Sequence, residues 1–385
     1  MAQQPHRHDP HRHEQHRCLI VPPYLLEAVA RAEAGRFATA ARAARASLEH
    51  DRPLRAARAK TAPRRTAAAP DVAAPDSAAR ARGLPGPPTP GAPRRLIADA
   101  RGVETLPGET VRTEGDPPSS DQSTDQAYDG LGSGYALFWQ AYGRDSIDGA
   151  NMPLEATVHY GTAYDNAFWN GSRMVFGDGD GEVFRGFTGS LSVIGHELAH
   201  GVTERTAGLA YQGQSGALNE HISDVFGALT EQHSSDQGAG QASWLIGAEI
   251  FTPAVQGRAL RDMHNPGTAY DDDVLGSDPQ PAHMRGYITT LEDNGGVHLN
   301  SGIPNRAFTL AALAIGGAAW NGAGLIWYRA LTSGGIEPDA GFERFARATL
   351  DAAAGLFGPG SAEQRAVRAG WIEVGVLTAT EGAGR

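Results

Sequence analysis

The sequence predicts an α+β chain in which a mainly β half is followed by a mainly α half. Residues 96–190 are dense in glycine and aromatic residues and contain short alternating stretches, such as 156–160, that are typical of strands. From residue 190 onward the apolar residues recur at helical spacing over 218–232, 303–315 and 341–354. A chain of 385 residues, of which 41% are hydrophobic, is long enough to build two cores.

The composition excludes several classes of protein. The single cysteine, Cys18, rules out an internal disulfide framework, and no run of about 18 apolar residues exists to span a bilayer. The net charge of -11 is unevenly divided, because residues 1–95 carry 17 Lys and Arg against 8 Asp and Glu, whereas residues 96–385 carry 16 against 36. Since phosphate binding needs clustered cations, we expect no nucleic acid partner, and we also expect no membrane partner.

The first 95 residues divide into three segments. Residues 1–17 are rich in His and Arg without the apolar core of a secretory signal, and we interpret them as a disordered tail, although a His-rich tract can also bind metal. An apolar stretch at 18–26 needs a covering surface and leads into a helix-compatible stretch at 27–50. Residues 51–95 are rich in Ala, Arg and Pro, which is the composition of an exposed, easily cleaved linker.

The strongest indication of chemistry is the segment HELAH at 196–200. Positions i and i+4 share one face of a helix, so His196 and His200 can present two imidazole nitrogens to one ion, with Glu197 on the adjacent flank. This pattern is a signature of metalloproteases. A catalytic zinc ion needs one more protein ligand and one open position.

The third ligand is predicted in the segment NEHISD at 219–224. If Glu220 and Asp224 share one face of a second helix, Glu220 can bind the metal and Asp224 can accept the other N–H of His196, which fixes the tautomer of that ring. The alternative is a solvated acidic helix edge. We favour the metal site, because carboxylates among apolar residues are costly unless they are paired or bind a cation.

A further stretch, DNGGVHLNSGI at 293–303, places His298 after a glycine turn and just before a helix. Taken alone, His298 is interpreted as a turn histidine. Tyr211 and Arg261 likewise carry no signal of their own.

Together, the HELAH, NEHISD and DNGGVHLNSGI segments resemble the thermolysin family of zinc endopeptidases in their order and in the distance of 24 residues between the first histidine and the acidic ligand. The resemblance covers about residues 96–376 and includes the segments 164–171 and 259–263. It implies a two-lobed zincin fold with the active-site cleft between the lobes. The β-rich N-terminal lobe, at 96–205, would carry the HExxH helix, and the α-helical C-terminal lobe would span 206–385.

The front of the chain resembles the protealysin-type precursors of that family, because it carries Pro-Pro-Tyr-Leu-Leu at 22–26. The resemblance implies that residues 1–95 are an inhibitory propeptide and linker, removed by self-cleavage. A cut just before Leu96 or Ile97 would suit the expected specificity. The opposite charges of the two parts fit such docking. An alternative inhibitory detail is Cys18 as a thiolate ligand of zinc in the precursor.

The resemblance also implies the catalytic roles. Glu197 takes a proton from the attacking water, whose pKa a bound zinc ion lowers. His298 and Tyr211 donate hydrogen bonds to the developing oxyanion, and Asp293 orients His298.

Substrate binding follows from the same resemblance. Arg261 would hold a backbone carbonyl of the substrate, while the side chain of Asn166 and the backbone of Ala167 pair with an extended peptide. The pocket that follows the cleaved bond would be lined by Phe184, Phe187, Val193 and Leu260. Because an apolar pocket discriminates weakly, we expect broad cleavage on the N-terminal side of bulky hydrophobic residues.

The sequence departs from the family at its paired calcium site. At the positions where the family has acidic ligands, this chain keeps Glu231. The other positions are occupied by Ser192, Ser243, Leu245 and Ala248. Calcium needs about six to eight oxygen ligands, so a bound calcium is doubtful and the expected cofactor is one zinc ion per chain.

Two other functions stay open from the sequence. The chain can be a protease-like protein that binds peptide or metal without turnover. It can also be a metal-sequestering protein that binds metal mainly through its His-rich tail. We favour an active, monomeric endopeptidase acting on peptides and proteins, because Glu197, Tyr211 and His298 are intact. Secretion by a non-classical route is expected, and a cytoplasmic location is the alternative.

Overall fold

The computed structural model describes residues 18–32, 36–58 and 90–379. The predicted His-rich tail and most of the predicted linker therefore lie outside the described residues. The described part consists of a short N-terminal segment, a lobe that contains a six-stranded sheet, and a mainly helical lobe. This is the α+β, two-lobed architecture that the sequence predicts.

The N-terminal segment is a short strand followed by two helices: β1 (Cys18–Leu19), α1 (Pro23–Ala30) and α2 (Ala38–Arg58). The stretch predicted as helix-compatible is thus divided between two helices, and the second continues into the predicted linker. α1 begins at a proline, which lacks only an N–H that the first turn of a helix leaves unused. The apolar side chains before and within α1 are covered as expected, since Ile20, Val21, Leu25 and Leu26 are fully buried.

The sheet has the strand order β1, β5, β6, β4, β2, β3. The other five strands are β2 (Arg95–Asp99), β3 (Glu109–Thr113), β4 (Leu154–Val158), β5 (Ala167–Trp169) and β6 (Met174–Phe176). β2 lies between β3 and β4 and is hydrogen-bonded on both sides. β1 pairs antiparallel with β5, so the N-terminal segment adds an edge strand to the sheet.

The half predicted as mainly β also contains a helix of 21 residues, α3 (Gln122–Tyr142). The carboxylate of Asp121 caps its N terminus by accepting the Thr124 N–H at 2.6 Å, and Gly143 ends it with a left-handed φ of 64°. Its buried residues recur at helical spacing, for example Ala127, Leu131 and Phe138. The sequence analysis did not single out this helix, because the glycine-rich composition of this half obscured a regular local signal.

The helical lobe follows, with α4 (Leu191–Glu204) and α5 (Gly213–Ser234) at its junction with the sheet. Later come α6 (Asp293–Asn300), α7 (Gly302–Ile315), α8 (Ala323–Thr332), α9 (Phe342–Phe357) and α10 (Ala362–Glu373). The segments predicted at 218–232, 303–315 and 341–354 correspond to α5, α7 and α9. None of the described helices combines the length and the apolar composition needed to cross a membrane.

Between α5 and α6 the chain forms four two-residue strands. These are β7 (Leu245–Ile246), β8 (Arg261–Asp262), β9 (Asp271–Asp272) and β10 (Gly276–Ser277). β8 pairs with β7 and carries Arg261 into the interior, where this side chain is fully buried.

Close packing of α4 on α5 depends on glycine. A Cβ added at Gly227 would lie 2.4 Å from the Ser192 carbonyl oxygen, and one at Gly195 would lie 2.8 Å from the Thr230 hydroxyl. Any larger residue at either position would push the two helices apart. Their close approach is what brings the side chains of the metal site within reach of one another.

The predicted start of the catalytic part, at residue 96, lies inside β2. Leu96 and Ile97 are 3% and 0% exposed, and the carbonyl of Arg94 accepts the Leu154 N–H at 2.8 Å. The Arg95 guanidinium donates to both carboxylate oxygens of Glu114. A cut before Leu96 or Ile97 would require β2 to leave the sheet, so the folded structure disfavours the expected position of the cut.

Candidate metal centre and substrate cleft

The three predicted metal ligands meet between α4 and α5. His196 and His200 lie on α4, Glu220 lies on α5, and one ligand atom of each lies within 4.8 Å of the others. The two Nε2 atoms are 3.0 Å apart, and they lie 3.5 and 3.7 Å from the Glu220 carboxylate oxygens. In the described part of the chain, no other group of three His, Cys, Asp or Glu residues meets this criterion.

The hydrogen bonds around His196 define its tautomer. Its Nδ1 lies 2.9 Å from Oδ1 of Asp224, and an ionised carboxylate can only accept. In its neutral, metal-binding form the ring therefore carries its hydrogen on Nδ1, and the lone pair of Nε2 is left for a metal ion on the side of Glu220. This is the contact predicted for Asp224.

His200 is held in the same tautomer by different groups. The Asn219 amide donates to the Leu209 carbonyl at 3.0 Å, so its oxygen faces the His200 Nδ1 at 2.8 Å and accepts from it. The hydroxyl of Ser223 also lies 2.9 Å from this nitrogen. Two imidazole lone pairs and a carboxylate thus converge on one point, and this donor set fits zinc.

The charges at the site favour a cation. Burial lowers the pKa of His196, but hydrogen bonds and charges of Asp224 and Glu220 outweigh this effect and raise that pKa to about 9. Burial raises the pKa of Glu220, but nearby histidines, His298 foremost, hold it well below its usual value. The pocket therefore contains ionised carboxylates that attract positive charge, which a divalent ion provides.

Asn219 and Ser223 were missed by the sequence analysis, which assigned no role to either. A signal for them exists, because positions 219, 220, 223 and 224 all lie on one face of α5 and all are polar. In the structure these four residues are at most 6% exposed. Polar residues that share a face with buried apolar neighbours indicate a common partner, which here is the pair of histidines.

The four predicted catalytic residues lie around the metal ligands. His298 Nδ1 is 2.6 Å from the Asp293 carboxylate, as expected for an orienting contact, and its Nε2 is 3.3 Å from the Tyr211 hydroxyl. The Tyr211 hydroxyl also donates to Glu220. Glu197 is fully buried on α4, next to His196 in the sequence.

The predicted glycine turn is what brings Asp293 back to His298. Asn294, Gly295 and Gly296 have φ values of 50°, 84° and 75°, so the chain makes a tight left-handed loop before the regular helix begins. The Asp293 carboxylate then accepts both the ring and the backbone N–H of His298. His298 lies within α6 rather than just before a helix.

The backbone after β1 contacts two of the predicted substrate-binding residues. The Ile20 N–H donates to the Ala167 carbonyl at 3.1 Å, continuing the antiparallel pairing with β5. The Val21 N–H donates to Oδ1 of Asn166 at 2.9 Å. Both contacts match the extended pairing expected for a substrate peptide.

The same backbone contacts Arg261 and His298. Nη1 of Arg261 donates to the Ile20 carbonyl at 3.0 Å, and Nε2 of His298 lies 2.8 Å from the Leu19 carbonyl oxygen. The N-terminal segment therefore occupies the places expected for a substrate. The residues of the predicted specificity pocket belong to the same buried apolar core as Ile20, and they are Phe184, Phe187, Val193 and Leu260.

The side chain of Cys18 and residues 1–17 lie outside the described part of the chain. The alternatives in which Cys18 or the His-rich tail binds zinc therefore stay predictions.

Comparisons with known proteins agree with this geometry. Residues 101–204 match the family model of the thermolysin metallopeptidase catalytic domain, and residues 207–376 match that of the thermolysin metallopeptidase alpha-helical domain. An extracellular metalloprotease of Pectobacterium carotovorum is 53% identical over 286 residues, which are 74% of this chain and 82% of that protein. Protease PrtS of a Photorhabdus strain is 48% identical over 289 residues, 74% of this chain and 77% of that protein.

The structural comparison extends into the N-terminal segment. The solved precursor of protealysin, a metalloproteinase from Serratia proteamaculans, superposes with a TM-score of 0.81 at 45% sequence identity and covers 94% of this chain and 100% of its own. The predicted resemblance is therefore confirmed for both the catalytic part and the precursor organisation. This chain belongs to the thermolysin family of zinc metalloendopeptidases, and it is similar over most of its length to the solved protealysin precursor.

Proposed function

We propose that this neutral endopeptidase cleaves peptides before bulky hydrophobic residues and that its own N-terminal segment blocks the cleft until it is removed. The observation that carries the proposal is the course of the backbone at 19–21. This backbone contacts four residues to which the family resemblance assigns a role. Asn166, Ala167 and Arg261 are expected to bind the substrate, and His298 is expected to stabilise the transition state.

In the proposed mechanism His196, His200 and Glu220 would hold zinc, which would supply a Lewis acid and lower the pKa of the attacking water. Glu197 accepts a proton as water attacks the scissile carbonyl, and it later passes that proton to the leaving amine. Asp224 keeps the hydrogen of His196 on Nδ1 throughout.

His298 is proposed to stabilise the oxyanion as a protonated ring. Burial lowers the pKa of His298, but the negative charges of Asp293 and Glu220 outweigh this effect and raise it. A protonated ring donates from Nδ1 to Asp293 and from Nε2 to the carbonyl oxygen in the cleft. The Tyr211 hydroxyl lies 3.3 Å from the same Nε2, and it is proposed as a second donor that turns from Glu220 toward the oxyanion.

The contacts of the N-terminal segment also indicate the register of a substrate. The Leu19 carbonyl faces His298 and the Ile20 carbonyl faces Arg261. In a substrate bound in this way, the scissile bond would lie between the positions of Leu19 and Ile20. The residue after that bond would take the fully buried place of Ile20, which supports selection of apolar side chains.

Docking of the N-terminal segment is also supported by contacts of α2. The carboxylate of Glu182 accepts the backbone N–H groups of Thr39 and Ala40 at 3.0 and 2.9 Å, at the start of α2. Further along that helix the fully buried Asp51 accepts the Tyr164 hydroxyl at 2.7 Å and the Asn166 amide at 3.0 Å. We propose that these contacts make the segment an intramolecular inhibitor.

Removal of the segment is expected to occur upstream of residue 90, because the chain from Ala92 onward is built into the catalytic part. Between residues 59 and 89 the bulky hydrophobic residues are Val72 and Leu84. We expect the mature chain to begin at one of these two residues when the purified precursor is incubated with zinc and analysed by mass spectrometry. A Glu197→Ala precursor should stay uncut, and a mature chain that begins at Leu96 or later would contradict the proposal.

Calcium is proposed to contribute little. Burial raises the pKa of Glu231 to about 7, and the charge of Glu249 adds to this increase, so the one retained acidic residue is only partly ionised at neutral pH. Since 1 kcal/mol shifts the Tm of a chain of this size by about 2–4 °C, adding calcium to the zinc-loaded protein should shift its Tm by less than about 2 °C. A clearly larger increase in a calorimetric scan would refute this expectation.

We also propose that the enzyme is secreted and acts as a monomer. The name of the Pectobacterium carotovorum relative, an extracellular metalloprotease, supports secretion. All residues of the proposed site come from one chain, so no second copy is needed to complete it. The non-classical export route stays a prediction.

A further inference from the structure

The carboxylate of Asp224 is shared by three side chains. Besides the His196 ring, it accepts Nε and Nη2 of Arg261 at 2.9 and 2.8 Å, and it accepts Nδ2 of Asn305 at 2.8 Å. All four residues are fully buried. The position of the metal ligand His196 therefore depends on how firmly Asp224 is held, and Asn305 on α7 is one of the two groups that hold it.

A chain of hydrogen bonds fixes the orientation of Asn305. The indole Nε1 of Trp327, which can only donate, points at Nε2 of His221 at 2.8 Å. His221 must therefore accept at Nε2 and carry its hydrogen on Nδ1, which lies 2.8 Å from Oδ1 of Asn305. Because Asn305 accepts there with its oxygen, its NH₂ group is the end that faces Asp224.

The first donor in this series of hydrogen bonds, Trp327, lies in the core of the helical lobe. The Trp327 ring stacks on Trp371 with centroids 5.9 Å apart and an interplanar angle of 10°, and Phe308 meets it edge-on at 5.1 Å. All three rings are fully buried. Each of these hydrogen bonds is donated in the direction of Asp224. They lead from Trp327 on α8 to His221 on α5, and from there to Asn305 on α7 and the Asp224 carboxylate.

We propose that His221 and Asn305 are positioning residues for zinc, which transmit the rigidity of the aromatic core to Asp224 and through it to His196. They touch neither the metal nor the substrate. Their effect is to keep the Asp224 carboxylate oriented so that the His196 Nε2 lone pair stays directed at the point where the ligands converge. This role is independent of peptide hydrolysis, so it stands or falls separately from the proposed specificity.

The test measures zinc affinity by competition with a chromogenic chelator, using the full chain with Glu197→Ala so that no self-cleavage occurs. Loss of an outer partner of a metal ligand typically costs about 10- to 100-fold in metal affinity, and we expect about 10-fold weaker zinc binding for both Asn305→Ala and His221→Ala. His221→Asn should restore most of the affinity, because an asparagine amide can still donate to Asn305.

A matched pair of tryptophan variants separates this role from general loosening of the core. Trp327→Phe removes the indole N–H that sets the ring of His221, whereas Trp371→Phe removes an indole N–H that donates to Thr349 at 2.9 Å, outside the chain to Asp224. Both variants lose a similar amount of packing, and the Tm of the zinc-free proteins should fall by similar amounts. Zinc affinity should fall in Trp327→Phe alone.

Two results would overturn the proposal. One is zinc affinity within about twofold of the parent for both Asn305→Ala and His221→Ala, since an outer partner that matters costs about 10-fold or more. The other is an equal loss of affinity in Trp327→Phe and Trp371→Phe. If Asn305→Ala does not fold, comparison of His221→Ala with His221→Asn decides, because a positioning role predicts recovery in the asparagine variant and a purely structural role does not.

Discussion

Replacing Glu197 with alanine is expected to lower kcat for peptide hydrolysis by about a hundredfold to ten-thousandfold, because the attacking water then has no general base. Zinc content should stay at one ion per chain, since the three ligand side chains and Asp224 are unchanged. The measurements are initial rates on a short peptide and metal analysis of the same preparation.

A matched control lies on the same helix. Glu204 accepts the indole N–H of Trp169 at 2.9 Å, outside the group of His196, His200 and Glu220. Glu204→Ala should therefore lose some stability and keep its kcat. A Glu197→Ala protein that contains zinc and hydrolyses peptide at the parental rate would remove Glu197 from the mechanism.

The second large effect is expected at Ile20, in the segment that occupies the cleft. Ile20→Asp places a charge at a fully buried apolar position, and burying an unpaired charge costs several kcal/mol. Since about 1.4 kcal/mol is a factor of ten, the affinity of the segment for the cleft should fall by at least a hundredfold. The uncut precursor should then hydrolyse a small peptide that the parental precursor leaves almost intact.

Rates have to be taken before the linker is cut, with mass spectrometry of each sample to confirm that the precursor is intact. Glu27→Ala is the matched control on α1, because the side chain of Glu27 is 50% exposed and pairs with the exposed Arg31 at 3.8 Å. That variant should stay as inhibited as the parent. An intact Ile20→Asp precursor that is equally inactive would show that occupation of the cleft at 19–21 is not the inhibitory contact.

The metal site is the part of this protein that the sequence predicts best. Its geometry is local, because the spacing of His196 and His200 on α4, and of Glu220 and Asp224 on α5, follows from helical periodicity. Glu220 and Asp224 were predicted to belong to a metal site because burying unpaired carboxylates among apolar residues is costly. The partners of His200 were missed, although Asn219 and Ser223 repeat the same spacing.

Other features were predicted less well. α3 was missed although Asp121 and Gly143 are ordinary signals for the two ends of a helix. The expected cut before Leu96 is disfavoured by the structure, and the sequence could not show this because apolar residues suit both a protease pocket and a central strand. Pairing of β2 with β3 and β4 decides between these alternatives, and nothing in the local sequence reveals it.

The sequence alone therefore indicated the family, the predicted metal ligands and the predicted catalytic residues, since each rests on short spacings within one helix or loop. Only the tertiary structure decided that the backbone at 19–21 lies against Asn166 and Arg261, and that Trp327, His221 and Asn305 lead to Asp224. Hydrogen bonds between residues 80 to 240 positions apart leave no periodic trace along the chain. These hydrogen bonds form only because helices and strands from distant parts of the chain pack around the buried Asp224 carboxylate.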